Sequence, residues 1–182
     1  MPISIAIKII ATCALVAGAA PAFSHMVLEA GSAAAGSSYK AVFLVGHGCQ
    51  GSATTGVAVQ IPAGFQGAKP YPKAGWNVSA TSAPLATPYT SHGKQITQDV
   101  SVVRWTAASK EAALPDALVD EFLLRGKLPE MAGPLWFKVL QTCENGHNDW
   151  SEVPATGTST QGLKAPAVLL EVTPAQAGPH QH

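Results

Sequence analysis

Short runs of alternating or apolar residues, each ended by glycine or proline, most constrain the fold of this chain. The sequence contains 17 Gly and 14 Pro, and hardly any stretch after residue 24 keeps a helical period. The runs that read as strands are residues 25–30, 38–46, 54–61, 68–72, 76–80, 99–106, 119–128, 135–142, 148–154 and 167–173. This pattern predicts an all-β fold, a two-sheet antiparallel sandwich.

The segments between these runs carry expectations of their own. Residues 31–36 are small and predict a simple connection, and residues 82–97 predict a surface loop or a mobile hairpin tip. Residues 107–118 are helix-like in composition, but Pro115 limits a helix there to about one turn. The Asn145-Gly146 pair predicts a two-residue hairpin with a type I′ turn.

Residues 1–24 have the pattern of a secretory signal peptide. One positive charge, Lys8, precedes an apolar run over residues 9–20. The alternative is a membrane anchor. That run is shorter than the roughly 20 residues of a spanning helix, and Pro21 follows it, so we favour cleavage.

The cleavage position decides which residue begins the mature chain. Ala22 and Ser24 are small residues at the positions that direct cleavage, and a cut after Ser24 leaves His25 first. A cut after Ala22 would leave Phe23 first. An N-terminal histidine can bind one metal ion through both its α-amine and its imidazole, and Cu(II) favours nitrogen donors.

The mature chain reads as one domain over residues 25–174, followed by a flexible tail at 175–182. Without Lys8 it has ten Lys and Arg against eleven Asp and Glu. A clustered basic excess, which a nucleic-acid or anionic-membrane partner requires, is not evident in the sequence. No second apolar run is long enough to span a membrane, so we expect a soluble periplasmic or secreted protein.

Two cysteines remain after Cys13 leaves with the signal peptide. In an oxidising compartment Cys49 and Cys143 are expected to form one disulfide, which would stabilise the fold by about 3–5 kcal/mol in the chain-entropy model. The alternative is that one thiolate binds a metal, as in blue-copper sites, but the accompanying His and Met ligands are not found.

Histidines near these cysteines are the candidate chemical groups, because the motifs typical of phosphate loops, serine hydrolases and zinc proteases are absent. A Cys49–Cys143 disulfide would bring the His47 loop and the His147 hairpin to one end of the sandwich. An exposed loop histidine is the simpler interpretation of each. Trp150 follows the hairpin; it is either a core residue or an indole beside a metal ion.

Motifs along the whole mature chain resemble the bacterial YcnI-like family. They are His-x-x-Leu-Glu at His25 and the segments at residues 36–40, 47–55, 59–62, 70–76, 120–122, 141–144 and 150–154. The resemblance implies an exported cupredoxin-like or immunoglobulin-like sandwich that is associated with copper-handling proteins.

The family's metal site resembles a single-histidine brace, in which the N-terminal amine and imidazole bind copper beside a tryptophan. By position these residues are His25 and Trp150. A carboxylate also belongs to the family's site, and its place in this chain stays open. His47 is the candidate substitute ligand, Glu144 a second candidate, and Glu29 a weaker one, since four strand residues separate it from His25 by about 13 Å.

These features predict a periplasmic Cu(II)-binding protein in copper trafficking or homeostasis, with copper-handling proteins of the periplasm or membrane as partners. One alternative is a copper-dependent oxidase resembling lytic polysaccharide monooxygenases, which use two histidines. The other is a metal-free extracellular interaction module, for which the sandwich alone would suffice.

Overall fold

A computed structural model of the chain describes residues 25–175. The predicted signal peptide and nearly all of the predicted tail lie outside the described residues. The strands are β1 Val27–Leu28, β2 Ser32–Ala34, β3 Ser38–Val45, β4 Thr54–Gln60, β5 Gln66–Pro70, β6 Trp76–Ser91, β7 Lys94–Ala107, β8 Asp120–Lys127, β9 Gly133–Cys143, β10 His147–Trp150 and β11 Val168–Thr173.

Two sheets pack face to face, which confirms the predicted all-β sandwich. The smaller sheet has the order β1-β3-β8-β5, and the larger has the order β2-β11-β9-β4-β7-β6. Strand β10 also pairs with β9, beside the part of β9 that extends beyond β11. Every pair is antiparallel except β11 with β2, which run parallel.

Alternate residues of the strands point between the sheets and form one core, as the two-residue period of a strand requires. Phe43, Phe122 and Phe137 are fully buried there, together with Trp105. Phe43 meets Phe137 edge to face at 5.4 Å between ring centroids, and Trp105 meets Phe122 at 5.8 Å. Each such side chain stabilises the fold by about 1.5–3 kcal/mol through burial alone.

Of the two alternatives predicted for residues 82–97, the surface loop is wrong and the hairpin tip is present. Strands β6 and β7 run through this segment as one long hairpin, and its two-residue turn is His92-Gly93, where φ is 49° and 73°. Both values are positive, as a type I′ turn requires. Pro84 and Pro88 are tolerated because β6 is the last strand of its sheet and the pairing shifts register between residues 84 and 89.

The hairpin predicted at Asn145-Gly146 is present between β9 and β10, but the predicted type I′ turn is wrong. Among the two central residues only Gly146 has a positive φ. The loop is longer than two residues, since the last paired residues are Thr142 and His147. Ser52 holds the turn from outside, because its hydroxyl donates to the carbonyl of Asn145 at 2.9 Å and accepts from the amide of Asn145 at 3.3 Å.

The structure also tests the predictions for residues 31–36 and 107–118. Residues 31–36 are more than a connection, because Ser32–Ala34 pairs with β11 through main-chain bonds that composition does not reveal. The helix-like stretch forms only the short 3₁₀ turn Lys110–Ala112, as expected. Within residues 25–175 we find no helix with the length and apolar character needed to cross a bilayer.

Candidate metal centre

His25, His47 and Trp150 lie together at one end of the sandwich. The His25 ring is 5.9 Å from the Trp150 ring between centroids, at an interplanar angle of 67°. The corresponding values for the His47 ring are 6.5 Å and 73°. Two imidazoles therefore contact one indole edge to face. His25 is half-buried and also lines a surface cavity of about 360 Å³, so this end of the molecule is accessible from solvent.

Strand pairing and the disulfide bring these residues together. The start of β1 lies beside the end of β3, with Val27 opposite Leu44, so His25 and the loop that follows β3 share one end. The predicted disulfide is confirmed: Cys49 in that loop is bonded to Cys143 at the end of β9, with 5.8 Å between their Cα atoms. The bond ties the His47 loop of one sheet to the other sheet.

A buried glutamine links the parts of this centre. Gln141 is 1% exposed, and its side-chain nitrogen donates to the carbonyl of His47 at 2.7 Å and to the hydroxyl of Thr54 at 2.8 Å. Its side-chain oxygen accepts from Asn148 at 3.1 Å and from the indole N–H of Trp150 at 3.2 Å. Both N–H groups and both lone pairs of the amide are used, which fixes its orientation.

A contact within the His47 loop indicates the tautomer of the His47 imidazole. Nδ1 of His47 lies 2.6 Å from the carbonyl oxygen of Gly48, which can only accept, so Nδ1 carries the proton and the lone pair of the neutral ring is on Nε2. The amide of Gly48 donates to Asp116 at 2.8 Å. A Cβ at Gly48 would collide with the carbonyl oxygen of Ser52, so only glycine fits this loop.

Glu144 is not brought to this centre. Its carboxylate lies 3.8 Å from the ammonium group of Lys110, and its side chain lines a separate surface cavity with Lys110 and Thr142. Successive residues of a strand point to opposite faces, and Thr142 faces away from the buried Gln141. The chain direction at the end of β9 therefore carries Glu144 to the outer side.

Two further candidates also lie apart from the paired imidazoles. Glu29 is exposed, and together with burial, which is the larger effect, its charge raises the pKa of Tyr39 to about 12. His147 is exposed and lines a cavity of about 530 Å³ on the outer side of the disulfide loop. Among residues 25–175, no group of three or more His, Cys, Asp and Glu side chains converges as a metal site.

The residues that sequence reasoning missed are the uncharged ones. Gln141 and Thr54 are the two buried polar side chains among the described residues, and Asn148 completes their hydrogen-bond network. A signal was present, because Gln141 follows Phe137 and Val139 at the inward-facing positions of β9. A polar residue at a core position indicates a buried hydrogen-bond network.

Comparisons with known proteins give a family and a similar fold for this chain, and neither match names an activity. A family described as "Domain of unknown function (DUF1775)", the domain family of YcnI-like proteins, matches residues 25–172. No curated protein matches the sequence. A crystal structure of an uncharacterized protein from Nocardia farcinica with an immunoglobulin-like fold is similar, with a TM-score of 0.62 and 23% identity over 84% of this chain and 99% of that chain. This similarity supports the fold.

Proposed function

The chain belongs to the DUF1775 family, and from that premise we propose that its mature form is an exported Cu(II)-binding protein in copper trafficking or homeostasis. In this proposal the bond after Ser24 is cleaved, and His25 binds the ion through its new α-amine and its imidazole. The observation that supports it is the His25 ring against Trp150, 5.9 Å between centroids, beside a second imidazole.

The donor types at this end fit Cu(II). An amine and two imidazoles supply nitrogen donors for a tetragonal ion, and the Irving–Williams order favours Cu(II) over Zn(II). The carbonyl of Gly48 holds Nδ1–H of His47, the backbone contact that metal-binding histidines usually make through their other nitrogen. His47 is therefore a better candidate than Glu144, whose carboxylate faces Lys110.

Trp150 has a supporting role in this proposal. It is 4% exposed and its N–H is bonded to Gln141, so its ring cannot rotate away from the two imidazoles. The face of an indole attracts a cation and excludes water from one side of it. A half-buried site with few protein ligands suits transfer of copper to periplasmic or membrane copper-handling proteins. The buried disulfide fits an oxidising compartment.

The test uses protein exported by its own signal peptide, with the first residue identified by mass spectrometry. Cu(II) is titrated against a competing chelator, and electron paramagnetic resonance reports nitrogen ligation. We expect one bound ion per chain, and at least about 100-fold weaker binding in His25→Ala, because the imidazole is lost and the remaining α-amine can no longer form a chelate. His92→Ala, at the distant hairpin turn, is the matched control. A different first residue, or equal affinity of His25→Ala and wild type, contradicts the proposal.

A copper-dependent oxidase is the second candidate, and the pair of imidazoles on Trp150 favours it, since such enzymes use two histidines. Peroxide-dependent turnover of a polysaccharide by the copper-loaded protein, abolished in His47→Ala, would support this function. If the correctly processed wild-type chain binds no Cu(II), the metal-free interaction module replaces both.

A further inference from the structure

Three positive side chains form a row across the outer face of the smaller sheet. Lys40 on β3 lies directly opposite Arg125 on β8, and Arg125 lies directly opposite Lys69 on β5. All three are exposed. We call Lys40, Arg125 and Lys69 the basic row. The net charge of the chain, which is close to zero, gives no sign of this row. The three residues are distant in sequence, and strand pairing alone brings them together.

The fold itself does not explain this arrangement. Like charges directly opposite each other destabilise a sheet. The ion pairs among residues 25–175 join Lys73 to Asp120, Lys110 to Glu144 and Lys127 to Glu130, so none of them involves the basic row. Three adjacent cations without a carboxylate partner in this part of the chain indicate a surface that an external anion would stabilise.

A cavity of about 430 Å³ lies at the Lys69 end of the row. Arg125, Lys69 and Lys127 line its floor, and Gln66 adds a side-chain amide. The turn of the long β6–β7 hairpin forms its wall, with Ser91 and His92 among the lining residues. The volume lies within the range of small-molecule sites.

A carboxylate fixes the wall of this cavity without neutralising the basic row. Oδ2 of Asp99 accepts from the amide of Gly67 on β5 at 2.7 Å and from the hydroxyl of Tyr89 on β6 at 2.6 Å. Burial, followed by this hydrogen bond, raises the pKa of Tyr89 to about 12, so the hydroxyl remains a donor at neutral pH. The hairpin is thereby held against the edge of the smaller sheet.

We propose that this cavity and the basic row bind a small ligand that carries at least two oxyanion groups, either carboxylates or phosphates. Arg125 at the centre offers a planar, bidentate pair of donors for one group. Lys69 and Lys40 lie on either side of it, at the roughly 5 Å spacing of neighbouring strands, and attract the second. The hairpin turn bounds the cavity on one side, which favours a small anion over a polymer.

The experiment titrates metal-free mature protein with pyrophosphate in one arm and citrate in the other, at an ionic strength of about 0.1 M, by calorimetry. Metal-free protein keeps anion binding separate from copper binding. We expect saturable binding of at least one probe, and the tighter probe identifies phosphate or carboxylate as the preferred group. Arg125→Gln should weaken binding at least about tenfold, as expected for loss of a bidentate charged contact.

The matched control is Lys138→Gln, which removes an exposed positive charge from β9 in the other sheet. It should change binding less than about twofold, because charges farther apart than about 10 Å are screened. Arg125→Gln should unfold at the same temperature as wild type or higher, since it removes like-charge repulsion. Equal effects of the two variants, no saturable binding of either probe, or binding of a long polyanion alone would overturn the proposal.

Discussion

The candidate metal centre and the basic row lie at opposite ends of the same strand and are built in opposite ways. Lys40 is near the start of β3 and His47 lies just beyond its end, a separation of about 20 Å along the strand. At the candidate metal centre the imidazoles are half-buried, and the buried Gln141 makes all of its side-chain hydrogen bonds. At the basic row the charges are exposed and lack carboxylate partners among the described residues.

This difference shows how a sandwich can hold two kinds of site. A buried hydrogen-bond network orients side chains before a ligand arrives, and breaking it destabilises the fold. An exposed row of like charges weakens the sheet slightly by repulsion, and removing one of them leaves the fold intact. The following variants should therefore separate the two regions.

The largest effect is expected from removing the disulfide. Cys49→Ser with Cys143→Ser frees a loop with a sequence separation of 94 residues, and the free energy of unfolding should fall by about 3–5 kcal/mol. Urea unfolding followed by tryptophan fluorescence measures it. Cu(II) affinity should fall as the His47 loop is released, whereas binding of pyrophosphate or citrate should persist under folding conditions. A loss below about 1 kcal/mol would contradict the prediction.

A smaller loss of stability should follow from Gln141→Leu. The substitution leaves the carbonyl of His47 and the N–H of Trp150 buried without this partner, so we expect about 2–4 kcal/mol lower stability and an altered near-ultraviolet circular dichroism. Gln60→Leu, at an exposed position of β4, is the control and should change stability by less than about 0.5 kcal/mol. Equal losses in the two variants would show that Gln141 has no special role.

The smallest effect is a loss of stability at alkaline pH. Burial is the main cause that raises the pKa of both Tyr39 and Tyr89 from 10.0 to about 12. Between these values the unfolded tyrosine ionises and the folded one does not, so the folded state binds more protons and stability falls as pH rises from about 10 to 12.

Two variants divide this alkaline loss between the two tyrosines. Tyr39 bonds the carbonyl of Ala30 just after β1, and Tyr89 bonds Asp99 in the wall of the cavity. Tyr39→Phe and Tyr89→Phe should each reduce the slope of stability against pH in that window, as measured by urea unfolding at a series of pH values. Unchanged slopes in both variants would exclude these tyrosines as the cause.

The residues that meet at the candidate metal centre were largely predictable, and the basic row was not. The cleavage pattern predicted His25 as the site, cysteine counting predicted the Cys49–Cys143 disulfide, and the disulfide implied that the His47 loop would reach the same end of the molecule. Glu144 was a candidate because it follows Cys143 in sequence. The strand period and the chain direction after β9 instead turn it toward Lys110.

The errors in the fold have the same physical origin. Residues 82–97 contain two prolines and few large apolar residues, so local propensity could not decide between a surface loop and a hairpin tip. The hairpin forms because β6 needs hydrogen bonds only on the side facing β7. Asn145-Gly146 favours a type I′ turn by itself, but the contacts from Ser52 hold a longer loop.

By itself the sequence determined the alternation that makes strands, the two cysteines that pair and the histidine that follows a predicted cleavage signal. These properties depend on residue type and on neighbours in the chain. The tertiary structure alone decided that Gln141 bonds four partners and that Lys40, Arg125 and Lys69 stand in one row. Those contacts join residues distant in sequence, and only strand register determines which of them lie opposite each other.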